Sequence, residues 1–168
     1  MVALSCSRYL TGSGPRDAAT LLASIPSDTQ IDVYGSGGVV EELEQDVARR
    51  LGKESALFMI TGTMAQQTVL RIHADRRRRN GVVFHPKCHL DVREERGYER
   101  LHGLVAVTCG PATQPLTTEQ LATIAEPVAA VLIELPQRDL GGTLPEWDEL
   151  VAQTQWAHDH GAAAHMDG

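Results

Sequence analysis

In Leu57-Phe58-Met59-Ile60-Thr61-Gly62-Thr63-Met64-Ala65-Gln66-Gln67 a short apolar run stops at Thr-Gly-Thr, and a helix-like pattern begins at once. That order predicts a strand over Ala56 to Ile60, a tight turn and a helix N-terminus. Gly62 lets the backbone turn and lets another group approach closely. The first turn of a helix carries unpaired N–H groups and the positive end of the helix dipole, a place suited to an anion, most often a phosphate. A β–α connection with no ligand would read the same in this stretch alone, so the decision rests on what else reaches the same place.

Working outward toward the N-terminus, Val40, Leu43, Val47 and Leu51 fall at helical spacing, with Gly52 at the stop. Ile31-Asp32-Val33-Tyr34 is strand-like and leads into the flexible Gly35-Ser36-Gly37-Gly38, and Ala18 to Ile25 predicts a short helix. Toward the C-terminus, Ala65, Val69 and Ile72 continue the helix until it fades into Arg76 to Arg79. Val82-Val83-Phe84 reads as a strand before His85-Pro86-Lys87-Cys88-His89; residues 90–101 are charged and read as helical; Leu104 to Thr108 reads as the next strand. Thr117 to Gln120 has the form of a capping box, opening a helix to about Glu126. Ala129 to Ile133 is a near-continuous apolar strand, as expected when both faces are covered. Thr143 to Glu146 reads as a second capping box, opening a helix with Trp147, Leu150, Val151 and Thr154 on one side. Ala162 to Met166 is a small-residue strand before Asp167-Gly168.

Strands alternating with helices predict a three-layer α/β/α fold around a mostly parallel sheet. Ligands of such sheets sit beyond the carboxyl ends of the strands. Thr61-Gly62-Thr63, His89, the loop after Glu134, and Asp167 all follow predicted strands, so they are expected to converge on one edge.

The 168 residues fit a domain with a real core, and 42% hydrophobic with 22% charged residues is ordinary for a soluble globular chain. A net charge of −7 argues against a general nucleic-acid binder, and the arginine block reads as a solvated helix end. The sequence holds no run of 18 apolar residues and no basic start followed by an apolar stretch, so neither a membrane span nor a secretory signal is expected. Three cysteines at unrelated spacings give no disulfide framework, and a reducing cytoplasm is the expectation.

Asp167 ends an apolar strand, where a carboxylate is costly unless something cationic meets it. A protonated pyridine nitrogen would suit, because the acid keeps it protonated and strengthens the ring as an electron sink. His89 could lay its imidazole on such a ring, although a locally hydrogen-bonded loop histidine reads the same way. A phosphate at 61–63, a stacked ring and an acid at the ring nitrogen together describe pyridoxal 5'-phosphate.

Two rival readings are weaker. Gly35-Ser36-Gly37-Gly38 stands where a dinucleotide loop would, yet the acid expected about twenty positions on falls in an apolar run. His85, Cys88, His89 and Asp91 lie close together, yet no second cluster completes a metal site, so no metal is expected.

Asp32-Val33-Tyr34-Gly35, Leu43-Glu44, Gly52 to Phe58, Thr61-Gly62-Thr63-Met64 and His165-Met166-Asp167-Gly168 resemble the low-specificity L-threonine aldolases. These belong to the β-eliminating lyase group of fold-type-I pyridoxal-phosphate enzymes. The resemblance implies a phosphate turn at Thr61, Gly62 and Thr63, a ring-stacking histidine at His89 and a ring-nitrogen acid at Asp167. It implies retro-aldol Cα–Cβ cleavage of a small β-hydroxy amino acid by a homo-oligomer, dimer or tetramer. Glu134 and Gly141-Gly142 match the family's Glu-Asn-Thr-His…Gly-Gly segment without a gap.

Several positions depart from the pattern. Leu135-Pro136 replace Asn-Thr, and the histidine associated with the substrate hydroxyl is Gln137, which cannot act as an acid or base near neutral pH. Ser5-Cys6-Ser7-Arg8 is a poor stand-in for the family's Arg-Ser-Asp-Thr, and Ser36-Gly37 replace an acidic pair. The family's Schiff-base lysine lies beyond its Asp-Gly pair; here only Lys53 and Lys87 occur, and neither matches it. The expectation is an N-terminal segment, 1–30, followed by an incomplete cofactor-binding large domain, 31–168, without the last strands and the small domain. A non-catalytic partner or regulatory chain of the same fold is the alternative.

Overall fold

Alternate side chains of four short strands point into two separate apolar clusters, one on each face of a parallel sheet. The structure is a computed structural model that describes residues 17–32, 34, 35 and 37–168. The strands are β1 (Gly81–Phe84), β2 (Val105–Thr108), β3 (Ala130–Glu134) and β4 (Ala163–Asp167), in the order β2-β1-β3-β4. Every pairing is parallel, with Phe84 opposite Thr108 and Glu134 opposite Asp167.

The helices follow as α1 (Ala18–Ala23), α2 (Val39–Arg50), α3 (Gly62–Arg77), α4 (His89–Val92), α5 (Gly97–Arg100), α6 (Thr118–Leu121) and α7 (Trp147–Asp159). On one face Leu70 and Ala74 of α3, with Leu90 and Tyr98, cover Val82, Phe84 and Leu132. On the other, Leu121 of α6 with Trp156 and Ala157 of α7 cover Val83, Val131 and Ile133. These are the three layers expected from the alternation. All five residues of β3 are buried, as its unbroken apolar run requires in a central strand.

Local signals explain most boundaries. Thr61 caps α3 by accepting the Met64 N–H at 3.1 Å, and Arg78 closes that helix in the left-handed region at φ 54°. The capping box of α6 is formed as expected, from Thr117 and Gln120. That helix nevertheless stops at Leu121, where the Thr123 hydroxyl takes the Gln120 carbonyl at 2.7 Å.

The expected strand over Ala56 to Ile60 is not formed. Leu57, Phe58 and Ile60 are exposed, and the Phe58 N–H donates to Glu44 Oε1 at 2.6 Å instead of to a strand neighbour. No strand forms at Ile31, Asp32 or Tyr34 either, so the dinucleotide reading lacks its strand. Residues 90–101 break into α4 and α5 because Glu95 and Arg96 take positive φ, 52° and 57°. The break lets Gly97 lie against α3, where an added Cβ would come within 2.8 Å of Gln67 Nε2. The second capping box is also absent: Pro145 holds the chain extended, α7 starts after Glu146, and the Thr143 hydroxyl donates to Leu140 O at 2.6 Å. Finally, α7 buries Gln153, Trp156 and Ala157, whereas Trp147 and Val151 are exposed.

The contacts divide the chain after Phe58. In the first unit, the Asp17 carboxylate caps α1 through the Thr20 N–H at 2.8 Å. In the same unit α2 carries Glu41 and Glu42 in its first turn and Arg49 and Arg50 in its last, complementing its dipole. The second unit, Met59–Gly168, contains the whole sheet. Ser5-Cys6-Ser7-Arg8, Val33 and Ser36 lie outside the described residues. Among the described residues no helix is long and apolar enough to cross a membrane.

Candidate active site

Parallel pairing puts the carboxyl ends of β3 and β4 side by side, and strand alternation turns Glu134, His165 and Asp167 toward the α3 layer. Glu134 ends the most buried strand, and only 6% of its side chain is exposed. Burial alone would raise its pKa. The His89 ring and backbone N–H more than offset that, holding the carboxyl below its ordinary range.

His89 is the first residue of α4, and Glu134 grips it twice. The Glu134 Oε1 atom accepts the His89 backbone N–H at 2.9 Å and also meets the ring Nδ1. Asp167 Oδ2 stands 3.4 Å from the same Nδ1, and Glu94 Oε1 3.5 Å from Nε2. The hydrogen bond to Glu134 is the main cause that lifts the His89 pKa above the imidazole norm, with burial opposing it. Three carboxylates around one imidazole leave the cluster negative in either protonation state of the ring, which favours a further cationic group.

Asp167 is tied to α3 as well. Its Oδ1 accepts from Gln66 Nε2, and Gln66 Oε1 meets His165 Nε2. Gln66 lies four residues, about 6 Å along the axis, from Gly62 at the helix start. There the backbone N–H groups of Gly62 and Thr63 have no acceptor among the described residues. A Cβ added at Gly62 would meet nothing within 4 Å. The Thr63 hydroxyl donates to Glu94 Oε1 at 2.7 Å, and Gln67 Nε2 to Glu94 Oε2 at 3.0 Å. Glu94 thus bridges the Thr63 hydroxyl at that helix end to the His89 ring, and Gln66 bridges α3 to Asp167.

The beta-eliminating lyase family matches this chain over residues 19–168. The chain belongs to that family. It is 42% identical to a solved Listeria monocytogenes protein described as a putative L-allo-threonine aldolase, with a TM-score of 0.88 over 94% of this chain and 45% of that one. Low-specificity L-threonine aldolase 1 of Arabidopsis thaliana is 29% identical over 82% of this chain and 41% of its own length. The low specificity L-threonine aldolase of Saccharomyces cerevisiae is 29% identical over 81% and 37%. The chain therefore spans less than half the length of these relatives.

Within the family pattern, Thr61, Gly62, Thr63, His89 and Asp167 come to one region, Thr61 with its hydroxyl engaged as the α3 cap. Gln137 lies farther along the β3 loop. It is buried, its backbone N–H donates to Thr143 O at 2.9 Å and its amide to Lys87 O at 3.2 Å. Lys87 is exposed.

The cysteine–histidine cluster separates. His85 spends both ring nitrogens on backbone: Nδ1 accepts from the Lys87 N–H at 3.0 Å, and Nε2 faces Gln114 O at 2.9 Å. Asp91 accepts from the Tyr98 hydroxyl at 2.7 Å. Cys88, His89 and Glu134 do come within ligand distance of one another, and burial pushes the Cys88 thiol up.

Glu94, Gln66, Gln67 and His165 are site residues that sequence reasoning missed. Glu94 carries no local signal, since it sits in a charged stretch that reads as solvated. Glu134 could have been singled out by the argument used for Asp167, an acid ending an apolar strand.

Proposed function

We propose that this chain is the cofactor-binding part of a pyridoxal-phosphate-dependent lyase that cleaves the Cα–Cβ bond of a small β-hydroxy amino acid in a retro-aldol reaction. One observation carries the reading: Asp167, 3.4 Å from His89, is tethered through Gln66 to the helix whose first N–H groups are open. The residues fit the cofactor at each end. Gly62 and Thr63 bind the phosphate through backbone N–H groups at the positive end of α3. Asp167 holds a proton on the ring nitrogen, in a cluster whose negative charge favours it.

When bound, the cofactor supplies an electron sink for the charge that develops at the substrate Cα. His89 is oriented by Glu134 and packs against the cofactor. Its Nδ1 proton is committed to Glu134, so Nε2 is the atom available to hold or move a proton. Gln137, standing in the family's histidine position, offers hydrogen bonds and no proton transfer. Lys87 is exposed and Lys53 sits on the exposed turn after α2, and neither matches the family's cofactor-bearing lysine. Residues 31–168 form part of the large domain, after an N-terminal segment 1–30, in a cytoplasmic homo-oligomer.

The test is aldehyde release by the purified full-length protein supplied with pyridoxal phosphate. L-threonine and L-allo-threonine are the first substrates to assay, and retro-aldol cleavage yields glycine and an aldehyde. Cofactor binding without aldehyde from any β-hydroxy amino acid would overturn the reaction, and failure to bind the cofactor would overturn the whole reading.

A further inference from the structure

The hydrogen-bond chain from Asp167 through Gln66 to His165 can run in one direction only. A carboxylate only accepts, so Gln66 must present its NH2 to Asp167 Oδ1. The amide oxygen then faces His165 Nε2, which must carry the proton. Nδ1 of that ring is left bare.

The surroundings support a neutral imidazole in this tautomer. Burial pushes His165 below the imidazole norm, with Asp167 opposing. From α3, His73 meets the His165 ring edge-on with centroids 6.1 Å apart, and burial together with the neighbouring Arg77 keeps His73 low as well. On the far side of Asp167 stand His89 and Glu134.

We infer that Gln66 is a positioning residue for Asp167: its amide joins Asp167 to His165 and fixes the carboxylate relative to the helix that begins at Gly62. A ligand held at both places meets a spacing set by one turn of α3 and one side chain. Without Gln66 the carboxylate would be free to turn wholly toward His89, its other neighbour. The consequence for cofactor binding rests on the reading above, whereas the hydrogen-bond order does not.

Two measurements on the full-length protein test this. The first is the His165 tautomer by 15N NMR: the wild type is expected as the Nε2–H form, and Gln66→Leu as a mixture. The second compares affinities for pyridoxamine phosphate and for inorganic phosphate. Gln66→Leu is expected to weaken the former about tenfold and leave the latter unchanged. A swapped pair, Gln66→Glu with Asp167→Asn, keeps an acceptor for His165 but moves the charge. It is expected to restore the Nε2–H tautomer without restoring pyridoxamine phosphate affinity, a split that loss of packing alone would not produce. An Nδ1–H form in the wild type, or unchanged pyridoxamine phosphate affinity in Gln66→Leu, would overturn the inference. If the wild type ignored pyridoxamine phosphate, the cofactor reading would fail, and the tautomer measurements would still decide the role of Gln66.

Discussion

A single oxygen of Glu134 accepts both the backbone N–H of His89, at 2.9 Å, and its ring Nδ1 proton. The grip fixes the ring by main chain and side chain together. It also links the charges of the two residues, so both sides of the pair should show in the pH dependence of folding.

His89 is raised, so its contribution to stability is complete below its unfolded value of 6.5 and is lost as pH rises through the higher folded value. Glu134 is lowered, so its contribution is present above its unfolded value of 4.5 and is lost as pH falls through the lower folded value. The pair should therefore support the fold best between 4.5 and 6.5. Glu134→Gln should flatten both flanks of a Tm-against-pH profile, and the His89 NMR titration midpoint should fall toward the ordinary imidazole value. An unchanged midpoint would show that Glu134 does not govern His89.

Gly62 is the first residue of α3, and its missing side chain leaves open space. Gly62→Ala should therefore change folding stability by no more than about 1 kcal/mol. If a phosphate approaches that backbone, the same methyl group should weaken phosphate or pyridoxal phosphate binding about tenfold. Calorimetry and a binding titration separate the two effects, and equal affinity in both proteins would remove the phosphate from this corner.

Asp167→Ala in the full-length protein should lower turnover by roughly 10²-fold or more while leaving inorganic phosphate binding largely intact. Near-normal turnover would withdraw the role assigned to that acid.

The two tryptophans of α7 test its orientation. Trp156 is 8% exposed in the core and Trp147 is 73% exposed. Trp156→Ala should cost about 3–5 kcal/mol, whereas Trp147→Ala should stay within about 0.5 kcal/mol. Denaturant unfolding of the two variants gives both numbers, and similar losses would mean that the helix is turned differently.

The sheet was legible because its strands are short apolar runs set between helical patterns, and Ala129 to Ile133 could hardly be anything else. Leu57 to Ile60 has the same composition, but an apolar run does not reveal whether a neighbouring strand exists to pair with it. The face of α7 misled for a related reason: Trp147, Val151 and Trp156 are equally apolar on paper, and packing alone decides among them. That His89 and Asp167 come together could be expected because strand ends of a parallel sheet share an edge. Glu94 and Gln66 could not, since Glu94 is defined by Thr63 and Gln67 on another helix, and Gln66 by two residues about a hundred positions away in the chain.

The pairing of Glu134 with Asp167 on adjacent strands carries an evolutionary corollary. Side chains alternate along a strand, so shifting β4 by one residue against β3 would swing Asp167 and His165 to the opposite face and bring their apolar neighbours to the front. The connection between α7 and β4 should therefore resist single-residue insertions and deletions. Length changes there would be selected against for displacing the acid pair as well as for disturbing the fold.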